Sequence, residues 1–286
     1  TALVESVLAT PLRWRKPCRV FVGSMTDLFH ESVPDKWLDM LFARMAETTR
    51  ITYQILTKRP QRMREYLDSI GRRASVMLAR HEIYLPDYLK GTTTDVEDGT
   101  PWPLPNVWLG VTVEDQLRAD ERIPLLLDTP AAVRYVSYEP GLGAVDLDRI
   151  QTEGGTYHAL SGSVGVEGRG QAPYRKLDWV ICGGESGPGA RPMHPEWARG
   201  LRDQCQEAGV PFFFKQWGEW GDLPSRLMAE KCVAVTLDGQ TYSPDAAAFN
   251  GESLPYGAAI RCRVGKKAAG RLLDGREWNE FPGVRV

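Results

Sequence analysis

Cysteine is scarce in this sequence, and what there is stands badly for metal work. The five residues are Cys18, Cys182, Cys205, Cys232 and Cys262, and no CxxC pair occurs. An odd number at such wide intervals excludes a compact disulfide framework and a local zinc or iron–sulfur knuckle. It predicts free thiols in a reducing compartment. Histidine is scarcer still, with four residues, too few for a His-rich metal centre. No apolar run approaches the roughly 20 residues of a membrane span, and no basic–apolar–small pattern marks a signal peptide. Net charge is nearly absent: 35 Lys and Arg stand against 37 Asp and Glu. That excludes a whole-surface nucleic-acid or membrane footprint, but not a local basic groove. The expectation is a soluble, cytoplasmic protein.

What the chain does have is apolar material in alternating patterns. Of its 286 residues, 42% are apolar, enough for a sizeable core. CRVFVGS (18–24) reads as a strand. PDKWLDMLFARMAE (34–47) puts Trp37, Leu38, Leu41, Phe42 and Met45 on one helical stripe behind a favourable Pro34. ITYQILT (51–57) and PQRMREYLDSI (60–70) repeat the pair, and 71–100 reads as an irregular excursion. The alternation resumes with strands at 106–114, 133–139, 177–185 and 210–216, and helices at 115–127 and 195–208. A Gly-rich loop is expected at 152–171. The order predicts an α/β fold of parallel strands, as an open sheet or a barrel. CVAVTLDGQTYS (232–243) reads as a hairpin around Asp238-Gly239, and a short helix follows in the tail. The expected division is 1–220 for the main β/α domain and 221–286 for a C-terminal extension packed on it.

Each strand ends in polar chemistry. The ends carry Ser24, Thr26 and Asp27, then Thr57, Lys58 and Arg59, then Thr112 and Glu114. Ser137 and Glu139, Gly183 to Ser186, and Lys215 to Trp217 follow. In parallel α/β architectures ligands bind at the carboxyl ends of the strands, so the repetition predicts a binding rim. Taken singly, each residue has a plainer reading. Asp27 could cap a turn, Lys58-Arg59 could be a solvated pair, and Asp115 could start a helix. GGESGPGARP lacks the dinucleotide-binding spacing, although its glycines would let a ligand approach the backbone. His194 before Pro195 reads as a cap, and Trp217 and Trp220 as packing.

The blocks VFVGSMTDLFHE, QILTKRP, NVWLGVTVEDQLRADERIPLLL, VRYVSYEP, LDWVICGGESGPGARPMHPEW and GVPFFFKQWGEW carry a resemblance in order and local detail. They resemble an uncharacterised bacteriophage-associated family of phages, prophages and bacterial genomes. The likeness runs from about Leu12 to Trp220 and again over GKKAAGRLLDGREWNEFP. That family looks like a branch of the radical S-adenosylmethionine superfamily, distantly similar to spore photoproduct lyase. The resemblance implies a partial (β/α) barrel with a [4Fe–4S] cluster that cleaves S-adenosylmethionine to a carbon radical. It places SMTD (24–27) at the methionine end of the cofactor, Thr57 and Lys58 on the next strand, and Thr112 and Glu114 toward the ribose or methionine. With Ser137, Glu139, Glu185, Lys215 and Gln216, these form the expected cofactor-binding set. By analogy the substrate is a nucleic acid or nucleotide.

One departure matters. Members of that family carry a WNPxxGC…GCxxCY-like segment whose three cysteines hold the cluster, and the present sequence does not contain it. The expectation is therefore a partial barrel lacking its first strand, with an exposed edge beside Val20–Val22. The chain as it stands is expected to bind no cluster and to be catalytically silent. Two alternatives from other classes stand beside this reading. One is a non-catalytic barrel that binds a protein or nucleic-acid partner. The other is a metal-dependent barrel hydrolase using Asp27, His30, Glu185 and His194.

Overall fold

The computed structural model describes residues 3–68, 76, 101–166, 170–222, 231–243 and 254–283. These residues fall into two units, Thr1–Val111 with Leu125–Arg134, and Thr112–Pro124 with Tyr135–Val286. The expected excursion at 71–100 lies outside the described residues except for Val76. No helix among the described residues is long and apolar enough to cross a membrane.

In the first unit, the short helix α1 (Glu5–Leu8) precedes strand β1 (Cys18–Val22), helix α2 (Asp35–Glu47), strand β2 (Ile51–Thr57), helix α3 (Pro60–Asp68) and strand β3 (Val107–Thr112). β1 pairs with β2 in parallel, Cys18 opposite Ile51 and Val22 opposite Ile55. β2 pairs with β3 in parallel from Tyr53–Val107 to Thr57–Val111. A parallel pair needs a crossover, and the helices supply it. α2 starts as the sequence predicts, with Pro34 in the N-cap position, and buries Leu38, Phe42 and Met45 along one stripe. Asn106 ties these elements together. Its side-chain amide donates to the carbonyls of Met45 at 3.0 Å and Ile51 at 2.9 Å, satisfying buried backbone at the ends of α2 and β2.

The second unit continues the pattern. Helix α4 (Gln116–Asp128) starts in this unit and ends in the first, and strand β4 (Val133–Tyr138) returns to it from Tyr135 onward. Four short strands follow, β5 (Ile150–Thr152), β6 (Gly155–His158), β7 (Ser163–Val166) and β8 (Gly170–Pro173). Then come strand β9 (Trp179–Gly183), helix α5 (Pro195–Ala208) and strand β10 (Phe212–Gln216). β9 lies between β4 and β10 and pairs in parallel with each, with Tyr135 opposite Trp179 and Val180 opposite Phe212. The α/β class expected from the sequence is therefore observed, with parallel strands joined by helices.

The stretch expected to be a Gly-rich loop is instead β5 to β8, a four-stranded antiparallel meander. Its TYH and SVGV cores are short strands; Gly154 and Gly162 lie in turns, while Gly155, Gly165 and Gly170 lie within the strands themselves. The last strands are β11 (Trp220–Gly221), β12 (Cys232–Val235), β13 (Thr241–Tyr242) and β14 (Ala259–Arg263), followed by the one-turn helix α6 (Lys266–Ala269). β12 and β13 form the expected hairpin, with Val235 opposite Thr241.

Free thiols were expected throughout, and two of the five are not free. Cys232 stands directly opposite Cys262 on antiparallel β12 and β14, and the two are disulfide-bonded. They are 30 residues apart in the chain, so only strand register brings them together. Cross-linking a loop of this length removes chain entropy from the unfolded state worth about 3.6 kcal/mol. Reduction, or the Cys232→Ser variant, should lower the thermal midpoint of the oxidised protein by several degrees. An unchanged midpoint on reduction would show that the bond contributes nothing.

Candidate functional site

The rim residues of the first unit are organised by Asp27. Its Oδ1 accepts from the Phe29 backbone N–H at 2.9 Å and the Thr57 hydroxyl at 2.8 Å. Its Oδ2 accepts from the Lys58 backbone N–H and the Arg59 guanidinium, both at 3.1 Å. Thr57 in turn accepts from the Arg59 backbone N–H at 2.9 Å. One carboxylate thus fastens the end of β1 to the end of β2. Asp27 is more than the turn cap of its plainer reading. Ser24 and Thr26 lie exposed on the turn that Gly23 opens, where Thr26 N–H donates to Gly23 O at 2.9 Å. Lys58 and Thr57, side by side at the end of β2, differ in burial: Thr57 is buried and Lys58 exposed.

The second unit gathers the other half of the expected set. Glu139 follows β4 and accepts from Lys215 Nζ at 2.8 Å and Gln216 Nε2 at 3.0 Å, both at the end of β10. Gln216 Nε2 also donates to the Ser186 hydroxyl at 3.2 Å. Lys215 is half exposed, so this charge pair opens to solvent on one side. Glu185, after β9, is gripped by Arg191 through its backbone N–H at 2.7 Å, Nε at 2.9 Å and a guanidinium nitrogen at 2.9 Å. The hydrogen bond to Glu185 raises the Arg191 pKa, and the charges of Glu185 and Glu114 add to it. Glu114 is buried against Arg122 at 3.1 Å, and Arg122 also donates to Thr112 O at 2.9 Å. Ser137 is buried, and its carbonyl accepts from Val113 N–H at 2.9 Å.

The loop between β9 and α5 is held by the C-terminal strands. Trp220 Nε1 donates to Ala190 O at 2.7 Å, Arg263 donates to Gly187 O at 3.0 Å, and Gly187 N–H donates to Glu219 Oε1 at 3.2 Å. Arg261, almost wholly buried, stacks its guanidinium 4.4 Å from the Trp217 ring and pairs with Asp222. Burial lowers its pKa. The extension therefore shapes the strand-end loops of its own unit.

The sequence did not single out Arg122, Arg191 or Arg261. Arg191 was the most accessible of the three, being the one cation in the loop that follows Glu185. Arg122 lies two helical turns beyond Glu114, and Arg261 is 44 positions past Trp217; neither spacing carries a signal.

His194 is a cap, as its position before Pro195 predicts. Nδ1 accepts from Glu196 N–H at 3.1 Å, and Nε2 is 2.9 Å from Gly257 O. Burial lowers its pKa. With both ring nitrogens engaged by backbone, His194 is poorly placed as a metal ligand. Among the described residues no group of three or more His, Cys, Asp or Glu is arranged to hold a metal. The metal-dependent hydrolase reading has no support from these residues.

Residues 1–282 match the family described as "Protein of unknown function (DUF5131)", and the chain belongs to that family. No curated protein and no solved structure matches it.

Proposed function

We propose that the chain is a radical-S-adenosylmethionine-like protein of phage type that binds S-adenosylmethionine at the carboxyl ends of its parallel strands. Nucleic acid or a nucleotide is the proposed substrate class. The observation that carries this reading is the Glu139–Lys215–Gln216 constellation at the ends of β4 and β10. A carboxylate beside a half-exposed ammonium suits a zwitterionic ligand: Glu139 would take the α-ammonium and Lys215 the α-carboxylate of the methionine end. Ser137, Glu185 and Glu114 are further strand-end residues of the same unit. Ser24, Thr26, Asp27, Thr57 and Lys58 supply strand-end groups of the same kind in the first unit.

A [4Fe–4S] cluster, which in that superfamily supplies the electron for cofactor cleavage, does not fit the described cysteines. Cys232 and Cys262 are bonded to each other. Cys182 and Cys205 are buried, and burial raises both thiol pKa values, opposing the thiolate a cluster needs. Cys18 is exposed at the start of β1. The second reading is a non-catalytic module that keeps the strand-end site for binding a protein or nucleic-acid partner.

Isothermal titration with S-adenosylmethionine tests the proposal. Glu139→Gln and Lys215→Met should each weaken binding at least about tenfold, or about 1.4 kcal/mol. Their melting midpoints should stay close to that of the wild type, because the pair is part exposed. A wild-type protein with no saturable heat, or variants that bind as it does, would overturn the assignment.

A further inference from the structure

We infer that a cleft on the helix-covered side of β1, in the first unit, binds a small apolar molecule ending in a carboxylate. The cleft has a volume of about 700 Å³, and its walls include Val22, Val33, Trp37, Leu38 and Leu41. That volume falls among those of small-molecule sites, which are mostly apolar with a few placed polar groups. Val22 lies opposite Ile55 and shares a strand face with Val20. Phe21, opposite Gln54, belongs to the other face. Glu139, Lys215 and Gln216 are not among the residues lining the cleft, although Thr26 and Asp27 of the wider strand-end set are, and the inference goes beyond the function proposed above.

The polar groups fix the chemistry of the occupant. Asp27 borders the cleft, but four protein donors already occupy its oxygens. It therefore offers little to an incoming cation. Arg59 also lines the cleft and spends one guanidinium nitrogen on Asp27; no other guanidinium bond to a described residue is present. His30 is the third ionisable group, and Thr26 and Ser32 add hydroxyls to the lining. His30 Nδ1 accepts from the Ser32 backbone N–H at 3.1 Å, so the neutral ring carries its proton on Nε2. Nε2 has no partner among the described residues. The cleft thus presents surplus donors, from Arg59 and His30, beside an apolar wall that includes an indole. A guanidinium with free N–H groups recognises a carboxylate, and the wall accepts a ring or branched chain.

The probes are 3-phenylpropionate, 3-phenylpropanol and 3-phenylpropylamine, followed by saturation-transfer NMR and titration calorimetry on the whole chain. The carboxylate should bind saturably, the alcohol at least about tenfold more weakly, and the amine not at all. Arg59→Gln should weaken carboxylate binding about tenfold or more. His30→Asn keeps an acceptor for Ser32 N–H but removes the Nε2 donor, and should weaken it as well. Because Arg59→Gln also touches Asp27, Leu41→Trp provides the second arm. It fills the cleft and should abolish carboxylate binding while the circular dichroism spectrum and S-adenosylmethionine titration stay unchanged. Equal or tighter binding of the amine, no saturable binding of the carboxylate, or unaltered binding by Leu41→Trp would each overturn the inference. So would loss of both ligands together in Leu41→Trp, which would make the cleft and the strand-end site one.

Discussion

Gly184→Ala should leave little folded protein, with a loss above about 4 kcal/mol, at the exceptional end for a single substitution. A Cβ at Gly184 would lie 2.1 Å from the Trp217 carbonyl oxygen, which is backbone and has no rotamer to move aside. Gly218 faces the reciprocal problem, because its Cβ would lie 2.0 Å from the Glu185 carbonyl oxygen. Its φ of 77° adds backbone strain for any other residue. The two turns interlock: Gly184 N–H donates to Gln216 O and Glu219 N–H to Glu185 O, each at 2.9 Å. Any shift that relieved the clash would pull Glu185 and Gln216 out of place together. Gly200→Ala is the control. A Cβ there meets nothing within 4 Å and the residue lies inside α5, so the substitution should stabilise by up to about 1 kcal/mol. Urea denaturation of the three proteins gives the comparison. If Gly184→Ala unfolds at the wild-type concentration, the two strand ends do not pack as closely as described.

Asp27→Ala should cost about 3–5 kcal/mol, the range for removing one member of a part-buried, hydrogen-bonded charge network. The substitution strands the Thr57 hydroxyl, two backbone N–H groups and one guanidinium contact at once. Asn at the same position keeps one acceptor oxygen but turns an NH2 toward donors, so its loss should fall between wild type and Ala. Thr57→Val removes a partner from the same network. The Asp27→Ala, Thr57→Val double variant should therefore lose clearly less than the sum of the singles. Additive losses would mean that the carboxylate and hydroxyl act independently, and that Asp27 does not join β1 to β2. A loss below about 1 kcal/mol for Asp27→Ala would reduce it to an exposed turn residue.

Several elements were open to sequence reasoning because local physics decides them. Leu38, Phe42 and Met45 repeat at helical spacing, and Pro34 suits the start of a helix, so α2 could be placed within a residue or two. The apolar runs VFV, ITYQIL and WVIC stand between helical stretches, which implies parallel strands whatever the details. Asp238-Gly239 marks its hairpin through turn chemistry alone. The polar strand ends could likewise be listed as candidates, because a parallel sheet gathers ligand-binding groups at one end of its strands.

Other features depend on which residues the folded chain sets opposite one another. The meander at β5 to β8 escaped notice because strands of three or four residues leave no period to read, and glycines inside them read as loop. The disulfide depends on strand register: a slip of one residue would send Cys232 and Cys262 to opposite faces. Composition alone could not show that Asp27 has four donors, that Glu139 faces Lys215 across 76 positions, or that Arg191 turns back on Glu185. Sequence determined the elements and the kind of chemistry at their ends, because helix and strand formation follow from neighbouring residues. Tertiary structure decided which charges meet and which thiols bond, because those pairings depend on strand register and loop packing between residues far apart in the chain.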